Sequence, residues 1–447
     1  MDYTLFYPQF GSFLITVLAF IFCLSIIVFV HEFGHYFIGK LSGIHAEVFS
    51  IGFGPVLLSF HDKKGTKWQI AAFPFGGFVK FLGDRNSASI PKLEINSDNR
   101  IANHDRASMH GAPLWARFVT VAAGPVFNFV FSGFIFFIIF LGQGTTKIPL
   151  TVGELFGLPY ETKLRQGDVI VSINNTPIEK DFNEFSPDLI RAISISPATY
   201  IVERDNQLIQ LNEIIQNPPR IYQVLPKSAA IASGLKIGDV ILSINFQQID
   251  SFEEIKGLVE SSEGQSLNVE FWRKGVVKVT TLKPLKVDVP NSKGGFESIY
   301  RVGIVGGHFP FDPVTERQSL GQAINSSIES VYKVMEGSIK GLYHILFGNI
   351  SSCNLSGPIS IAETSGQMVK QGGLSYLWFI AVLSTAIGLI NLFPIPVLDG
   401  GHLMFFTCEA VLGKKLDPRI MSSFMTIGLI FLVILMLFAL FNDFFCP

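Results

Sequence analysis

Four long apolar runs constrain this chain more than anything else in it. Residues 12–30, 119–141, 377–393 and 424–441 are each long enough, as helices, to cross a bilayer core about 30 Å thick. In lipid only helices and closed barrels satisfy every backbone N–H and C=O, so the pattern predicts a polytopic α-helical membrane protein with four transmembrane helices. Composition agrees. Of 447 residues 48% are apolar and 16% charged, where soluble globular chains carry about 25% charged residues. The net charge of −2 leaves no broad basic surface, so no nucleic-acid partner is expected. The first run does not read as a cleavable signal peptide. The first Lys or Arg is Lys40, and the run continues into His31-Glu32-Phe33-Gly34-His35.

Charge placement orients the spans. No Lys or Arg occurs in residues 1–11, whereas ten lie between the first and second runs, from Lys40 to Arg117. Lys414, Lys415 and Arg419 lie between the third and fourth runs, and the tail after the fourth has none. Both termini are therefore expected outside and both short basic loops in the cytoplasm. The long segment 142–376 then lies outside, since long domains translocate largely regardless of charge. Cys353 and Cys446 face the oxidising side, and nothing in the spacing of the four cysteines requires a pair or builds a zinc module.

The outer segment contains a duplication. Leu164-Arg165-Gln166-Gly167-Asp168-Val169-Ile170-Val171-Ser172-Ile173-Asn174 returns 71 residues later as Leu235-Lys236-Ile237-Gly238-Asp239-Val240-Ile241-Leu242-Ser243-Ile244-Asn245, with eight of eleven positions identical. Each copy reads as a Gly-Asp turn, a β-branched strand and a second turn at Asn. Helical periodicity then follows at 189–193 and 252–259, and further strands at 199–204, 208–214, 266–272 and 276–282. That order resembles the PDZ domain, which implies two tandem α+β modules. They would either dock an extended peptide on a sheet edge or only keep bulky proteins from the membrane behind them.

His31 and His35 stand at i and i+4, one face of a helix, so both imidazoles can reach one metal ion. Glu32 follows the first of them and can act as general base on a metal-activated water. Such groups at membrane depth are costly to bury and usually mark function. Catalytic zinc takes a third protein ligand. The third run ends in Asn391-Leu392-Phe393-Pro394-Ile395-Pro396-Val397-Leu398-Asp399-Gly400-Gly401-His402, where the prolines break the helix. Asp399 is the favoured ligand, because a carboxylate there needs a cation. His402 competes with it, or lies behind the ligands. Asn128, in the apolar second run beside Gly124 and Pro125, reads as a residue that packs helices together.

HEFGH in the first run, NLFPIPVLDG in the third and PDZ-like repeats between the second and third together resemble the site-2 protease family of intramembrane zinc metalloproteases. The resemblance covers nearly the whole chain. It includes Ala123-Gly124-Pro125 with Asn128, the stretch Asn354-Leu355-Ser356-Gly357-Pro358, and Phe441-Asn442-Asp443 near the end. It implies that His31, His35 and Asp399 bind Zn²⁺, that Glu32 is the base and that Asn391 positions substrate and stabilises the oxyanion. It implies a bacterial inner-membrane endopeptidase acting in regulated intramembrane proteolysis, with PDZ-like modules in the periplasm and the active site near the cytoplasmic side. Substrates would be single-pass transmembrane proteins, such as an anti-sigma factor already trimmed outside, or signal-peptide remnants.

The basic loop between the first two runs is strand-like at 48–60 and 68–82, joined by Asp62-Lys63-Lys64-Gly65. The resemblance implies a membrane-associated β-hairpin whose edge pairs with an unwound substrate. Gly76, Gly77 and Phe78, with Pro394 and Pro396, are the candidate substrate contacts; an interfacial hairpin without substrate contact is the alternative. Residues 86–105 read as a polar cytoplasmic loop. An amphipathic helix over 320–347 lies on the outer membrane surface or packs as an ordinary helix. The expected domains are 1–141 (first span, hairpin, second span), 142–217 and 218–290 (the two PDZ-like modules), 291–376 (a linker with the amphipathic helix) and 377–447 (third and fourth spans). Two rival functions remain. A metal transporter predicts zinc flux dependent on His31, and a peptide-binding chaperone predicts that loss of Glu32 changes nothing.

Overall fold

In the computed structural model, residues 6–83, 106–178, 197–213, 217–290, 296–307 and 309–445 are described. The expected loop at 86–105, the helix expected at 189–193 and Cys446 lie outside these residues. The chain divides into two compact units: residues 1–139 with 321–344 and 352–446, and residues 140–320 with 345–351 and 447.

The first unit holds the helices α1 (Phe6–Leu41), α2 (Leu114–Gln143) as far as Ile139, α3 (Leu320–Leu346) over 321–344, α4 (Pro358–Gln371), α5 (Gly373–Asn391), α6 (Asp399–Leu412) and α7 (Pro418–Phe445). Among the described residues four are long and apolar enough to cross a membrane, over Phe13–Leu41, Leu114–Gln143, Gly373–Asn391 and Arg419–Phe445. The first, second and fourth run longer than the apolar patterns predict, because polar residues at their ends still continue the helix. The third stops earlier, at Asn391 with Leu392 as its cap; Pro394 and Pro396 follow, and a proline cannot donate the helical hydrogen bond.

Helix contacts depend on small and hydroxylated residues, as expected where the solvent is itself apolar. Ser132 on α2 donates to the carbonyl of Ala381 on α5 at 2.7 Å and lies 2.6 Å from the Thr385 hydroxyl. Gly366 on α4 lies against Thr16 of α1, where a Cβ would come within 2.2 Å of the threonine hydroxyl. Asp443 on α7 accepts from the backbone N–H groups of Gly357 and Ile359 at 2.9 and 3.0 Å, at the start of α4. Those N–H groups have no partner within the helix, so the carboxylate caps them. Cys353 is disulfide-bonded, which the sequence spacing did not require.

Between α1 and α2 lies the hairpin β1 (Ala46–His61) and β2 (Lys67–Phe81). Its register bends sharply. Residues 46–51 face 77–81 and again 67–70, while 56–61 face 67–71. The bends fall at Gly52, Gly54 and Gly76, all at positive φ, where a side chain would be strained. Phe49, stacked on Trp68 at 4.3 Å, packs with Tyr36 against α1. The far end of the hairpin leaves Leu57, Leu58, Phe60 and Phe73 exposed, an apolar patch suited to lipid.

The second unit repeats one strand order. The first sheet runs Thr176–Pro177, Val169–Ile173, Ala198–Arg204, Gln207–Glu213, and the second Gln247–Gln248, Val240–Ile244, Leu267–Arg273, Val276–Leu282. The duplicated motif has a shared cause. Asp168 and Asp239 are each 1% exposed. Each is clamped by an arginine near the end of the third-listed strand: Arg204 to Asp168 at 2.7 and 2.7 Å, Arg273 to Asp239 at 2.6 and 2.6 Å. Each also accepts a backbone N–H three residues back, from Arg165 or Lys236. Burial opposes ionisation of Asp168, but the Arg204 hydrogen bonds and the Arg165 N–H outweigh it and hold this carboxyl below the usual carboxylate range. Asn174 and Asn245 sit at positive φ and accept from Thr199 and Asn268 N–H, both at 2.8 Å. The stretch expected as a linker contributes strands as well: Ile304–Gly306 pairs with Ile221–Val224, and Phe311–Pro313 with Val152–Leu155. Three-residue strands carry almost no periodicity, so the sequence pattern does not reveal these pairings.

Removing one partner of a buried ion pair leaves the other charge uncompensated, at a cost of about 3–5 kcal/mol. Hydrogen-exchange mass spectrometry of the full chain carrying Asp239→Ala should therefore show amide exchange in 240–244 and 267–273 faster by at least about 10²-fold, with 169–173 and 198–204 unchanged. Unchanged protection throughout would show that the clamp does not hold the sheet.

Candidate metal centre

α1 carries His31, Glu32 and His35, and the helical pitch puts the two imidazoles on one face. α2 crosses there at close range. A Cβ on Gly124 would lie 2.3 Å from His35 Nε2 and 2.9 Å from His31 Cε1, and one on Gly34 would lie 2.6 Å from the Ala123 carbonyl. Only glycine at 34 and 124 lets the helices meet at the histidines.

Asp399 arrives from the end of α5. The turn after Asn391 folds back, and α6 begins at Asp399 itself. Gly400 and Gly401 make this possible. Cβ atoms there would lie 2.2 Å from the Phe393 carbonyl and 2.4 Å from the Ile395 carbonyl. Pro396 in the same turn packs on Gly428 of α7. α6 is in turn tied to α2 by a bidentate pair, Arg117 to Glu409 at 2.9 and 2.7 Å.

Three ligand atoms converge. His31 Nε2 and His35 Nε2 are 3.2 Å apart, and Asp399 Oδ2 lies 3.0 and 3.4 Å from them. Three tetrahedral ligands at zinc distances of about 2.0–2.1 Å would stand about 3.3 Å apart. His35 Nδ1 lies 2.9 Å from the Thr120 carbonyl oxygen. A carbonyl only accepts, so Nδ1 carries a proton, and in the neutral ring Nε2 presents a lone pair. With that lone pair the 3.4 Å approach of His35 Nε2 to Asp399 is not a hydrogen bond, and Asp399 Oδ2 is buried between the two imidazoles. Electron-rich atoms in this arrangement fit a cation, and the N,N,O set fits zinc. Among the described residues this is the one group of three or more His, Cys, Asp or Glu side chains close enough to hold a metal ion. His402, three residues past Asp399, packs edge-on toward Phe405 and is not in the group.

Glu32 points toward the hairpin. The backbone N–H of Val79 donates to its carboxylate. A Cβ on Gly77 would lie 3.1 Å from the Glu32 Cγ, 2.9 Å from Val28 and 2.7 Å from the Ser50 carbonyl. Gly76 sits under the Phe53 ring, which stacks on Phe78 at 6.1 Å. The hairpin thus reaches the Glu32 carboxylate. Asn391 closes α5 eight residues before Asp399 and is not hydrogen-bonded to the histidines. Sequence patterns alone did not expose two partners of the centre. One is the Thr120 carbonyl. The other is the amide of Asn128, whose Nδ2 lies 3.3 Å from His31 Nδ1.

Comparison with known proteins identifies the family. The model for peptidase family M50 matches residues 19–435. The regulator of sigma-E protease RseP of Escherichia coli is 33% identical over 463 residues, covering 97% of this chain and 99% of that protein. A protein from Agrobacterium fabrum named as a candidate zinc metalloprotease is 30% identical over 428 residues, covering 96% and 95%. Among solved structures, the PDZ domain of the SdrC-like protein from Listeria monocytogenes aligns with 21% of this chain and 92% of its own, at 17% identity and a TM-score of 0.17. The family match and the two full-length relatives settle the assignment: this chain belongs to peptidase family M50, the site-2 proteases, and is an intramembrane zinc metalloprotease.

Proposed function

We propose that this chain cleaves the transmembrane segments of single-pass membrane proteins, with His31, His35 and Asp399 as zinc ligands and Glu32 as general base. The observation that carries the reading is the convergence of three electron-rich atoms beside a glutamate. Bound there, zinc supplies Lewis acidity to a carbonyl oxygen and lowers the pKa of a coordinated water. Glu32 takes the proton of the attacking water and returns it to the leaving amide nitrogen. The Asn391 amide donates toward the oxygen on which negative charge develops.

A helical substrate hides its peptide bonds, so it must unwind to be cut. Segment 77–81 pairs with β1 along one side, and an extended substrate strand fits its other edge. Gly76, Gly77 and Phe78 would contact it, with Pro394 and Pro396 shaping the opposite wall. Anti-sigma factor-like proteins and signal-peptide remnants are the proposed substrates; the E. coli relative is named for regulation of sigma-E. The Lys and Arg distribution supports a bacterial inner-membrane orientation with both termini and the PDZ-like modules, 142–217 and 218–290, in the periplasm. The modules would dock or filter substrates, and 291–376 would link them to the core.

Glu32→Gln should retain one zinc per chain and lose about 10²–10⁴-fold in cleavage of a single-pass substrate reconstituted in detergent. Turnover at the wild-type rate would remove Glu32 from the mechanism. Gly77→Val places bulk against Glu32 and Val28, so it should lower cleavage while zinc content stays unchanged. Unaltered cleavage would show that the hairpin does not serve the reaction.

A further inference from the structure

His31 and His35 turn their second ring nitrogens to the same helix, α2, but meet different partners there. For His35 the partner is the Thr120 carbonyl, which can only accept and so leaves Nε2 its lone pair. For His31 it is the side-chain amide of Asn128, with Nδ2 3.3 Å from Nδ1. An amide can accept or donate, and which it does decides what His31 offers on its other side.

Asn128 is 0% exposed, and its Oδ1 is buried without a hydrogen-bond partner. Its backbone is held in place. The carbonyl accepts from Ser384 Oγ at 3.0 Å, and Gly388 packs so close that a Cβ there would lie 3.1 Å from the Asn128 Cβ. The remaining choice is a half-turn of the amide, whose two orientations fill the same volume. With the nitrogen facing His31, the ring proton belongs on Nε2, aimed at Asp399 3.0 Å away, and His31 has no lone pair for a metal. With the oxygen facing His31, it accepts the Nδ1 proton. The orphaned acceptor is then satisfied, and His31 Nε2 presents its lone pair beside that of His35.

We infer that Asn128 is the positioning residue of His31: its amide oxygen accepts the Nδ1 proton and so selects the ring tautomer that can ligate the metal. The inference rests on the metal reading proposed above. It also accounts for a fully buried amide in the middle of an apolar helix, where an unpaired acceptor is costly. Partners of this kind typically change metal affinity by 10–100-fold.

The test is metal affinity of the full chain in detergent, read by the absorption of added Co²⁺ and by Zn²⁺ competition, with no substrate present. Asn128→Ala should bind about 10–100-fold more weakly than wild type. Asn128→Asp keeps the size and, ionised, can only accept, so at a pH where the metal is bound it should bind at least as tightly as wild type, with a wild-type-like cobalt spectrum. Should the alanine variant not fold, Asn128→Leu, similar in size and unable to hydrogen-bond, replaces it. Ala or Leu binding as tightly as wild type would reduce Asn128 to packing. Asp binding as weakly as Ala would show that the amide donates instead. Either result overturns the inference. A wild-type chain that takes up neither ion would overturn the metal reading itself.

Discussion

Two imidazole nitrogens and a carboxylate oxygen meet within 3.0–3.4 Å inside the helical unit, and much of the surrounding structure exists to let them. Left alone, such a set is unfavourable, because lone pairs repel and a buried carboxylate has lost its water. A divalent cation reverses the sign of that interaction. The glycines follow from this requirement. Gly34 and Gly124 bring α2 against the imidazoles, and Gly400 and Gly401 fold α6 back over the proline turn. Each gives up local stability for an approach that a methyl group would block.

The second constraint is that Glu32 shares its neighbourhood with a strand of the hairpin. Glu32 receives the Val79 N–H, and Gly77 lies against its side chain. The bends at Gly52, Gly54 and Gly76 turn one end of the hairpin toward α1 while the other end exposes apolar side chains. A flat hairpin without these bends could not bring Gly77 against Glu32 and also expose that apolar end.

Side chains that act by type and spacing were legible in the sequence. HEFGH, the proline-broken run ending in Asp399, the aromatic hairpin and the duplicated Gly-Asp strands all carry local signals. What was not legible depends on partners with no local signature. The Thr120 carbonyl that fixes His35 belongs to a backbone, and any residue supplies one. Arg117 and Glu409 find each other across 292 positions. Asn128 read as a packing residue because periodicity shows its face and not the atom it meets, and its approach to His31 spans 97 positions. Strands of two and three residues, such as Thr315–Glu316 and Ile304–Gly306, exist only through tertiary pairing.

The central claim is that His31, His35 and Asp399 jointly hold zinc. X-ray absorption at the zinc edge of the purified full-length chain tests it most directly. The account predicts a light-atom shell at about 2.0–2.1 Å, the outer scattering of two imidazoles and no sulfur; Asp399→Ala should keep the imidazole signal and lose one oxygen. A sulfur shell at about 2.3 Å, or a spectrum without imidazole, would contradict it.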